Sequence, residues 1–537
     1  MSKPRLYIDT VMHLKISQVA YRVWRKFGGK TCLRAGFKPC PDVSGADIDR
    51  MPTMPELDFD PVFLARFDVD AILDDRIELL HHEENVNWRD SWQAELSTPL
   101  WRFNLHYHEY LLPLAKHYID TRDDRYLNKA KDIVDDWIEF CPRDFGGAAW
   151  DPYVIAMRVV NWLAFRAELK DALKIDDGFC ARMDASLAEQ YVFLSQHLEK
   201  DLLANHYLEN LKAIVILACY YADSRTLKMS LPLLQAQVDE QVLSDGMHFE
   251  LSPMYQKIVL EDLMRIAETL RICGHGDYSE KFKLQQMVDC LYSMERGINR
   301  TPLFNDCGDN VAKSRDALIG CALLRFGINP EFHNLLSESG YCIFERQTPS
   351  GFVKLIFDGG NPGPSYALGH AHCDALSFEC FVNGDPWIVN CGTYAYQDEK
   401  RLEFKNTRAH NTVLVSDKEM HECWAPFRIA RFSKCKLLSV NISEELDTVK
   451  AELTTIDGNL VYRSLCIDDS GILIHDSANI EATIISFLHF ATRVPPLNFN
   501  ACKSSYAPDF GTQKLIDSFV VNLQSIYIPF NTGDYHA

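Results

Sequence analysis

The chain has 537 residues, with 75 Asp and Glu against 55 Lys and Arg, a net charge of −20 with histidine neutral. That balance excludes a general nucleic-acid binder, which needs a basic footprint to neutralise phosphates. A hydrophobic share of 47% excludes a disordered or collagen-like chain. An acidic sugar stays open as a substrate, because a local cluster of His and Arg can serve one cleft on an acidic body.

At roughly 150 residues per domain, the length suggests two or three domains. The stretch from Val11 to Phe27 is broken by His13, Lys15, Gln18, Arg22 and Arg25 and reads as an amphipathic helix, not the apolar core of a signal peptide. The longest apolar run, Ala213 to Ala222, falls far short of the ~20 residues of a membrane span. Seventeen cysteines are scattered along the chain without a Cys-x-x-Cys pair, the pattern of reduced thiols. The expected location is cytoplasmic, or periplasmic if a signal has been trimmed away.

Helical spacing of apolar residues then recurs in His106–His117, Tyr126–Phe140, Tyr153–Leu173, Met183–Leu198, Leu208–Tyr221, Leu231–Val242, Tyr255–Leu270 and Tyr278–Met294. Turn and capping chemistry separates these segments at Thr121-Arg-Asp-Asp, Asp144-Phe-Gly-Gly, Ser244-Asp-Gly and Cys273-Gly-His-Gly. Consecutive helices on short loops imply antiparallel hairpins, enough of them for a helical barrel or toroid. After Phe326-Gly-Ile-Asn-Pro the texture turns to strands. Tyr341-Cys-Ile-Phe-Glu-Arg and Phe352-Val-Lys-Leu-Ile-Phe alternate, and Asn383-Gly384 between two apolar runs is a hairpin turn. Helices followed by strands, without alternation, give an α domain over 1–330 and an antiparallel β domain over 331–537.

Four stretches could carry chemistry. Asn205-His206-Tyr-Leu-Glu209-Asn210 opens an apolar helix; Asn205 suits an N-cap, and helical spacing brings Glu209 near the pair. Taken alone, a helix end with a neighbouring His is the commoner meaning. In Glu250-Leu-Ser252-Pro253-Met-Tyr255, Ser252 is an N-cap and Pro253 the first helical residue, which puts Tyr255 in the first turn. There the positive helix end favours phenolate, although, taken alone, a buried Tyr with one satisfied hydroxyl is the commoner meaning. Gly369-His370-Ala-His372-Cys-Asp374 follows a Gly/Pro-rich loop, and extended chain turns both imidazoles to one face, suiting paired proton transfer or a metal. Arg408-Ala-His410-Asn411-Thr412 enters a strand and could add a third His beside His372. Lesser candidates are Arg102 with His106 and His108, and Arg158 with Trp162 on one helical face, since Arg forks onto a carboxylate and indole stacks on a sugar ring. Asn305-Asp306-Cys-Gly-Asp309 reads as a turn, with a pair of site carboxylates as its alternative.

Together these stretches, with Trp101-Arg-Phe-Asn-Leu-His, Trp150-Asp-Pro-Tyr, Asn390-Cys-Gly-Thr-Tyr and Ala409-His-Asn-Thr, resemble the heparinase II/III family of polysaccharide lyases, and alginate lyases of the same architecture. The resemblance covers most of the chain and implies an incomplete N-terminal α/α toroid, a C-terminal antiparallel β-sandwich and a cleft between them. It makes Asn205 and His206 the binders of a substrate carboxylate, with Tyr255 and His370 moving the proton across the domain interface. Glu209, Arg158, Trp162, Arg102 and Arg408 become substrate-binding residues. It places His372 and His410 at two ligands of a structural zinc. The third ligand in relatives is an aspartate where this chain has Asn390, a neutral amide and a poor zinc ligand, with Cys391 beside it as a substitute. The chemistry itself requires no cofactor.

The implied activity is β-elimination on a uronate-containing acidic polysaccharide. The carbon-5 proton is too weakly acidic beside a charged carboxylate, and an amide–imidazolium clamp relieves that, usually the largest catalytic term. The alternative is a uronyl C-5 epimerase, which returns the proton to the opposite face and fits polysaccharide assembly. A glycoside hydrolase using Asp306 and Asp309 and a non-catalytic sugar binder are the remaining options.

Overall fold

The computed structural model describes residues 3–530 apart from 94, 142, 144–146, 175, 399 and 493–499. The turn expected at Asp144-Phe-Gly-Gly therefore falls largely outside the described residues. Helices, with one two-stranded hairpin (Arg76–Leu79 with His82–Asn85) among them, make up the chain to Phe326, and an antiparallel β domain follows from Leu335.

The helical part is organised around one helix, Ala204–Tyr220, in which every side chain but His206 is buried. Its sequence, Leu-Lys-Ala-Ile-Val-Ile-Leu-Ala-Cys-Tyr, is apolar almost all round, as a helix enclosed by others requires. Pro152–Glu168, Ser224–Gln241 and Pro253–Ile272 pack against it. Single Asp or Ser caps open many of the helices, including Asp123, Asp151, Asp176, Asp223 and Ser252. The periodic segment His106–His117 is two helices, Pro99–Tyr107 and Leu111–Thr121. His108, at φ 58°, takes the left-handed conformation and breaks the run.

The β domain is two large antiparallel sheets and a separate hairpin, His421–Ala425 with Arg428–Phe432. The larger runs through Asn500–Tyr506, Lys514–Val521, Ile484–Phe490, Asp385–Ile388, Phe378–Val382, Gly351–Asp358, Tyr341–Thr348 and Leu335–Leu336, with Val413–Val415 also paired to Ile484–Phe490. The smaller runs through Lys434–Asn441, Asp447–Thr454, Leu460–Ile467, Gly471–Ala478 and Ser525–Pro529. Asn383-Gly384 turns the hairpin as expected, with both residues at positive φ and Val382 paired to Asp385.

Burial explains why the two sheets differ in texture. Leu460–Ile467 alternates strictly, because one face meets the sandwich core and the other meets water. Phe378–Val382 is buried on both faces. Cys380 points into the sandwich core, while Phe381, with Tyr341, Ile343 and Ile356, packs on Met247, Leu251, Met294 and Ile298 of the helical part. A second junction joins Met254 and Tyr255 to Val389, Tyr506 and Phe510. The helix and sheet parts are thus joined through dry, apolar contacts, which restrain relative motion.

Truncating this junction tests its weight. Phe381→Ala is expected to cost about 3–5 kcal/mol as a large-to-small core change, read as a lowered thermal unfolding midpoint. A midpoint equal to that of the native chain would mean the junction does not hold the two parts together.

Candidate active site

The segment 301–309, between the last two toroid helices, is the hub of the site. Asp306 is fully buried. Both amino groups of Arg401 donate to its carboxylate, His370 Nδ1 lies 2.7 Å from Oδ2 and His372 Nε2 lies 2.8 Å from Oδ1. The same segment is sewn to both parts. Ser252 Oγ donates to Asp306 O (2.6 Å), the Asn305 N–H donates to Asp374 (2.8 Å), and the Asp306 N–H donates to His370 O (3.1 Å). Burial alone would raise the Asp306 carboxyl, but Arg401 and the two histidine bonds hold it well below the usual carboxylate range. It is therefore an ionised acceptor and cannot serve as a glycosidase acid. Asp309 has a separate task, taking the Thr301 N–H at 3.3 Å.

An ionised Asp306 fixes the histidines. As acceptor it places a proton on His370 Nδ1, which leaves Nε2 as the basic nitrogen. Nε2 makes no hydrogen bond among the described residues. The His370 ring lies 4.6 Å from that of Tyr255, and the Tyr255 hydroxyl meets the Tyr396 hydroxyl at 2.9 Å. Ser252 caps the Tyr255 helix and Pro253 follows it, as the sequence implied. The expected drift towards phenolate is overturned: burial, reinforced by Glu250, pushes Tyr255 far above the usual phenol range. Desolvation outweighs the helix end, and Tyr255 enters as a neutral phenol.

Asn205 is not an N-cap. The cap position is Leu203, with no side-chain bond, and Asn205 lies in the first turn. Its carboxamide is buried and makes no hydrogen bond among the described residues. His206 is part exposed, with Nδ1 3.0 Å from Glu199 Oε1 and its ring 4.8 Å from that of Tyr153. Burial works against its charge, but Glu199, Asp151 and Glu250 overcome this and carry its pKa up to about 9. At neutral pH it is an imidazolium.

Glu250 connects the two halves of the site. It is buried, which pushes its carboxyl above the usual range against the pull of His370 and His206, its Oε2 makes no hydrogen bond among the described residues, and as a carboxylate it acts on His206, Tyr255 and His370 alike. A cavity of about 130 Å³ opens beside Tyr255 and Tyr396 and runs into the toroid past Tyr107, Tyr153, Asn161 and Lys212. Non-glycine residues with positive φ precede three of the key segments: Leu203 (64°) and Ala204 (50°) before Asn205, Leu251 (56°) before Ser252, and Asn305 (55°) before Asp306. Such strain persists only where the surroundings enforce it, and it gathers at functional sites.

Several expected substrate residues stand elsewhere. Arg158 is fully buried; its guanidinium donates to Gln190, His106 O and Ala149 O and covers the Trp137 ring. Trp162 is also fully buried and donates to His108 Nδ1. Both are structural: the helical face they share is the one packed inside the toroid. Glu209 is buried against Lys212, 2.5 Å away, and Lys212 also reaches Asp262 at 2.5 Å. Arg408 is surface-exposed and paired to Asp417, while Arg102 is partly exposed, 3.7 Å from Glu95. Sequence reasoning passed over Glu199, Glu250 and Tyr396, and read Asp306 as a turn. The Glu250 and Asp306 stretches were in view, but only contacts across the chain distinguish them from ordinary polar positions.

The expected zinc ligands do not form a ligand set. His372 and His410 are neighbours, with ring centroids 5.2 Å apart, and among the described residues His410 keeps both ring nitrogens unpartnered. His372 Nε2 lies on Asp306, which leaves Nδ1 as its one open nitrogen. Asn390 takes the Asn411 N–H on its oxygen and donates to Ser377. Burial pushes the Cys391 thiol up, away from the thiolate a metal needs. No group of three or more His, Cys, Asp or Glu that could hold a metal occurs among the described residues. Two imidazoles and an occupied amide fall short of a structural zinc site.

A helical toroid closed by an antiparallel β-sandwich, with Tyr255 from one part facing His370 from the other, defines the class. Two family models match it, the heparinase II/III N-terminus over residues 65–325 and the heparinase II/III-like C-terminal model over 330–504. The chain belongs to the heparinase II/III family. It is 22% identical over 369 residues to a heparin-sulfate lyase of Pedobacter heparinus, covering 63% of this chain and 55% of that one. It is 27% identical over 299 residues to the FtsZ-localized protein C of Caulobacter vibrioides, covering 54% and 48%. The matched stretch thus spans little more than half the length of such relatives. Among solved structures, a crystal structure of heparinase III superposes with a TM-score of 0.69 at 17% identity, covering 87% of this chain and 85% of that one.

Two measurements check the site. An NMR titration of His206 is expected to give a midpoint near 9, and Glu199→Gln should return it towards the ordinary imidazole value of about 6.5. An unchanged midpoint in that variant would remove Glu199 as the cause. Asp306→Asn leaves Arg401 buried without its counter-charge, so a loss of about 3–5 kcal/mol is expected, read in thermal melting of the full chain.

Proposed function

We propose that the chain is a polysaccharide lyase that cleaves a uronate-containing acidic polysaccharide by β-elimination. What supports this reading is an imidazolium, His206, next in sequence to a buried amide, Asn205, and a neutral phenol, Tyr255, against an imidazole with an open Nε2, His370, with Glu250 acting electrostatically on His206, Tyr255 and His370. The heparin-sulfate lyases among its relatives support the same substrate class.

In this reading the substrate carboxylate binds between His206 and Asn205. Their positive charge and amide dipole stabilise the enolate-like charge that grows on the carboxylate as the carbon-5 proton leaves, an electrostatic effect strongest in a dry site. His370, held by Asp306 with Nε2 free, takes that proton. Tyr255, a phenol well above its usual range, gives its proton to the departing glycosidic oxygen, and the C4–O bond breaks as the C4–C5 double bond forms. Glu250 counters the positive charge that His370 gains. Tyr396 holds the Tyr255 hydroxyl in place. No step calls on a metal or other cofactor, and the heparinase-like zinc has no role in it.

The test is a panel of uronate polysaccharides, heparan sulfate and alginate among them, followed by near-ultraviolet absorbance of the new double bond. Tyr255→Phe and His370→Ala are each expected to lower the rate about 10²–10⁴-fold, the usual worth of an acid or base. Because the raised His206 must stay protonated, activity should fall as pH rises through about 9, and Glu199→Gln should move that limb to lower pH. A panel with no absorbance rise would sink the reading. Solvent deuterium entering carbon 5 without cleavage would replace it with epimerisation.

A further inference from the structure

Two N-terminal helices present the wrong face to water. In Ile16–Lys26 the buried side chain is polar: Gln18, which donates to Leu202 O and Tyr366 O. Arg25 pairs with Asp201 at 2.5 Å, and Lys15 pairs with Glu240. The apolar residues Ile16, Val19, Val23 and Phe27 recur at helical spacing and turn outward, with Ile16 at 89% and Phe27 at 84% exposure and Trp24 beside them at 57%. The preceding helix, Lys3–His13, repeats the pattern. Thr10 and His13 bond to the hairpin strand Arg428–Phe432, whereas Tyr7, Ile8, Val11 and Met12 are exposed. A surface helix of a monomer ordinarily buries its apolar stripe and wets its polar one.

Charge supplies the second observation. Residues 3–30 carry seven Lys and Arg (Lys3, Arg5, Lys15, Arg22, Arg25, Lys26 and Lys30) against a single acid, Asp9, on a chain whose net charge is −20. A strongly basic segment is therefore the one that exposes the apolar stripe. Basic side chains flanking bulky apolar ones, with a Trp among them, match the headgroup boundary of an anionic bilayer.

We propose that this helical pair docks the protein on an anionic phospholipid surface. Among the described residues no helix is long and apolar enough to cross a membrane, so the attachment is peripheral: Ile16, Val19, Val23 and Phe27 enter the acyl boundary, Lys3 and Lys26 reach the headgroups, and Lys15, Arg22 and Arg25 tie the helix to Glu240 and Asp201. Gln18, on the opposite face of that helix, rests on Leu202 O and Tyr366 O, in the segments that also carry Asn205 and His370 of the cleft. The proposal is independent of the reaction assigned to that cleft.

Flotation of the full chain with vesicles tests it. Phosphatidylcholine vesicles containing about one-third phosphatidylglycerol should carry the protein at least tenfold better than phosphatidylcholine alone, and salt should weaken the binding. The triple variant I16D/V23D/F27D should lose flotation while keeping the native melting temperature. V11D/M12D, on the other helix, provides a second loss that does not depend on the first variant folding. A native chain left unbound by anionic vesicles, or variants that float as well as it does, would overturn the proposal. So would a native dimer that the same substitutions dissociate, because a second copy would then cover the face.

Discussion

One buried carboxylate organises this molecule. Asp306 would be costly to bury alone, since an isolated charge in a low-dielectric interior loses its hydration. Here it is surrounded by Arg401, His370, His372 and the Thr393 hydroxyl, each from the β domain, while its own backbone is tied to Ser252 at the head of a toroid helix. Removing any one partner leaves the others with unmatched charge or unmet hydrogen bonds. The His loop and the Tyr255 helix therefore share one anchor, and the distance between them is set by it.

The apolar junction does the complementary work. Phe381, Ile356 and Ile343 from the large sheet meet Met294, Ile298 and Met247 from the helices, and Phe510 and Val389 pack beside Tyr255. Non-directional burial holds the two parts together, while directional bonds to Asp306 fix how they are registered. The consequences reach the chemistry. An ionised Asp306 selects the His370 tautomer, and the dry wall around Tyr255 keeps its proton on. Farther along the cleft, Glu199 and Glu250 keep His206 charged. Neighbouring groups of similar type are thus driven to different protonation states by their surroundings.

Much of the architecture was legible in the amino-acid order. The change from 3.6-residue to two-residue periodicity marked the change from helices to sheets, and Ser252-Pro253 and Asn383-Gly384 read correctly as a helix start and a hairpin turn. These are local properties, governed by capping geometry and by which faces must be apolar. Arg158 and Trp162 were misread for an equally physical reason. An Arg and a Trp one turn apart look the same on paper whether they face a sugar or a helix neighbour; Gln190 and His108, both distant in sequence or across a helix break, decide it.

The sequence alone determined a helical half and a sheet half, the helix beginning at Pro253, and a small set of His, Tyr and Asn residues suited to proton transfer beside a carboxylate. Tertiary structure decided which of them are free to act and in what protonation state. It made Asp306 an anchor and not a turn, left the Asn205 amide oxygen without a hydrogen bond among the described residues, gave His206 its charge and set His372 Nε2 against a carboxylate. The reason is that local sequence sets backbone conformation, whereas desolvation and charge depend on what the rest of the chain brings within a few ångströms.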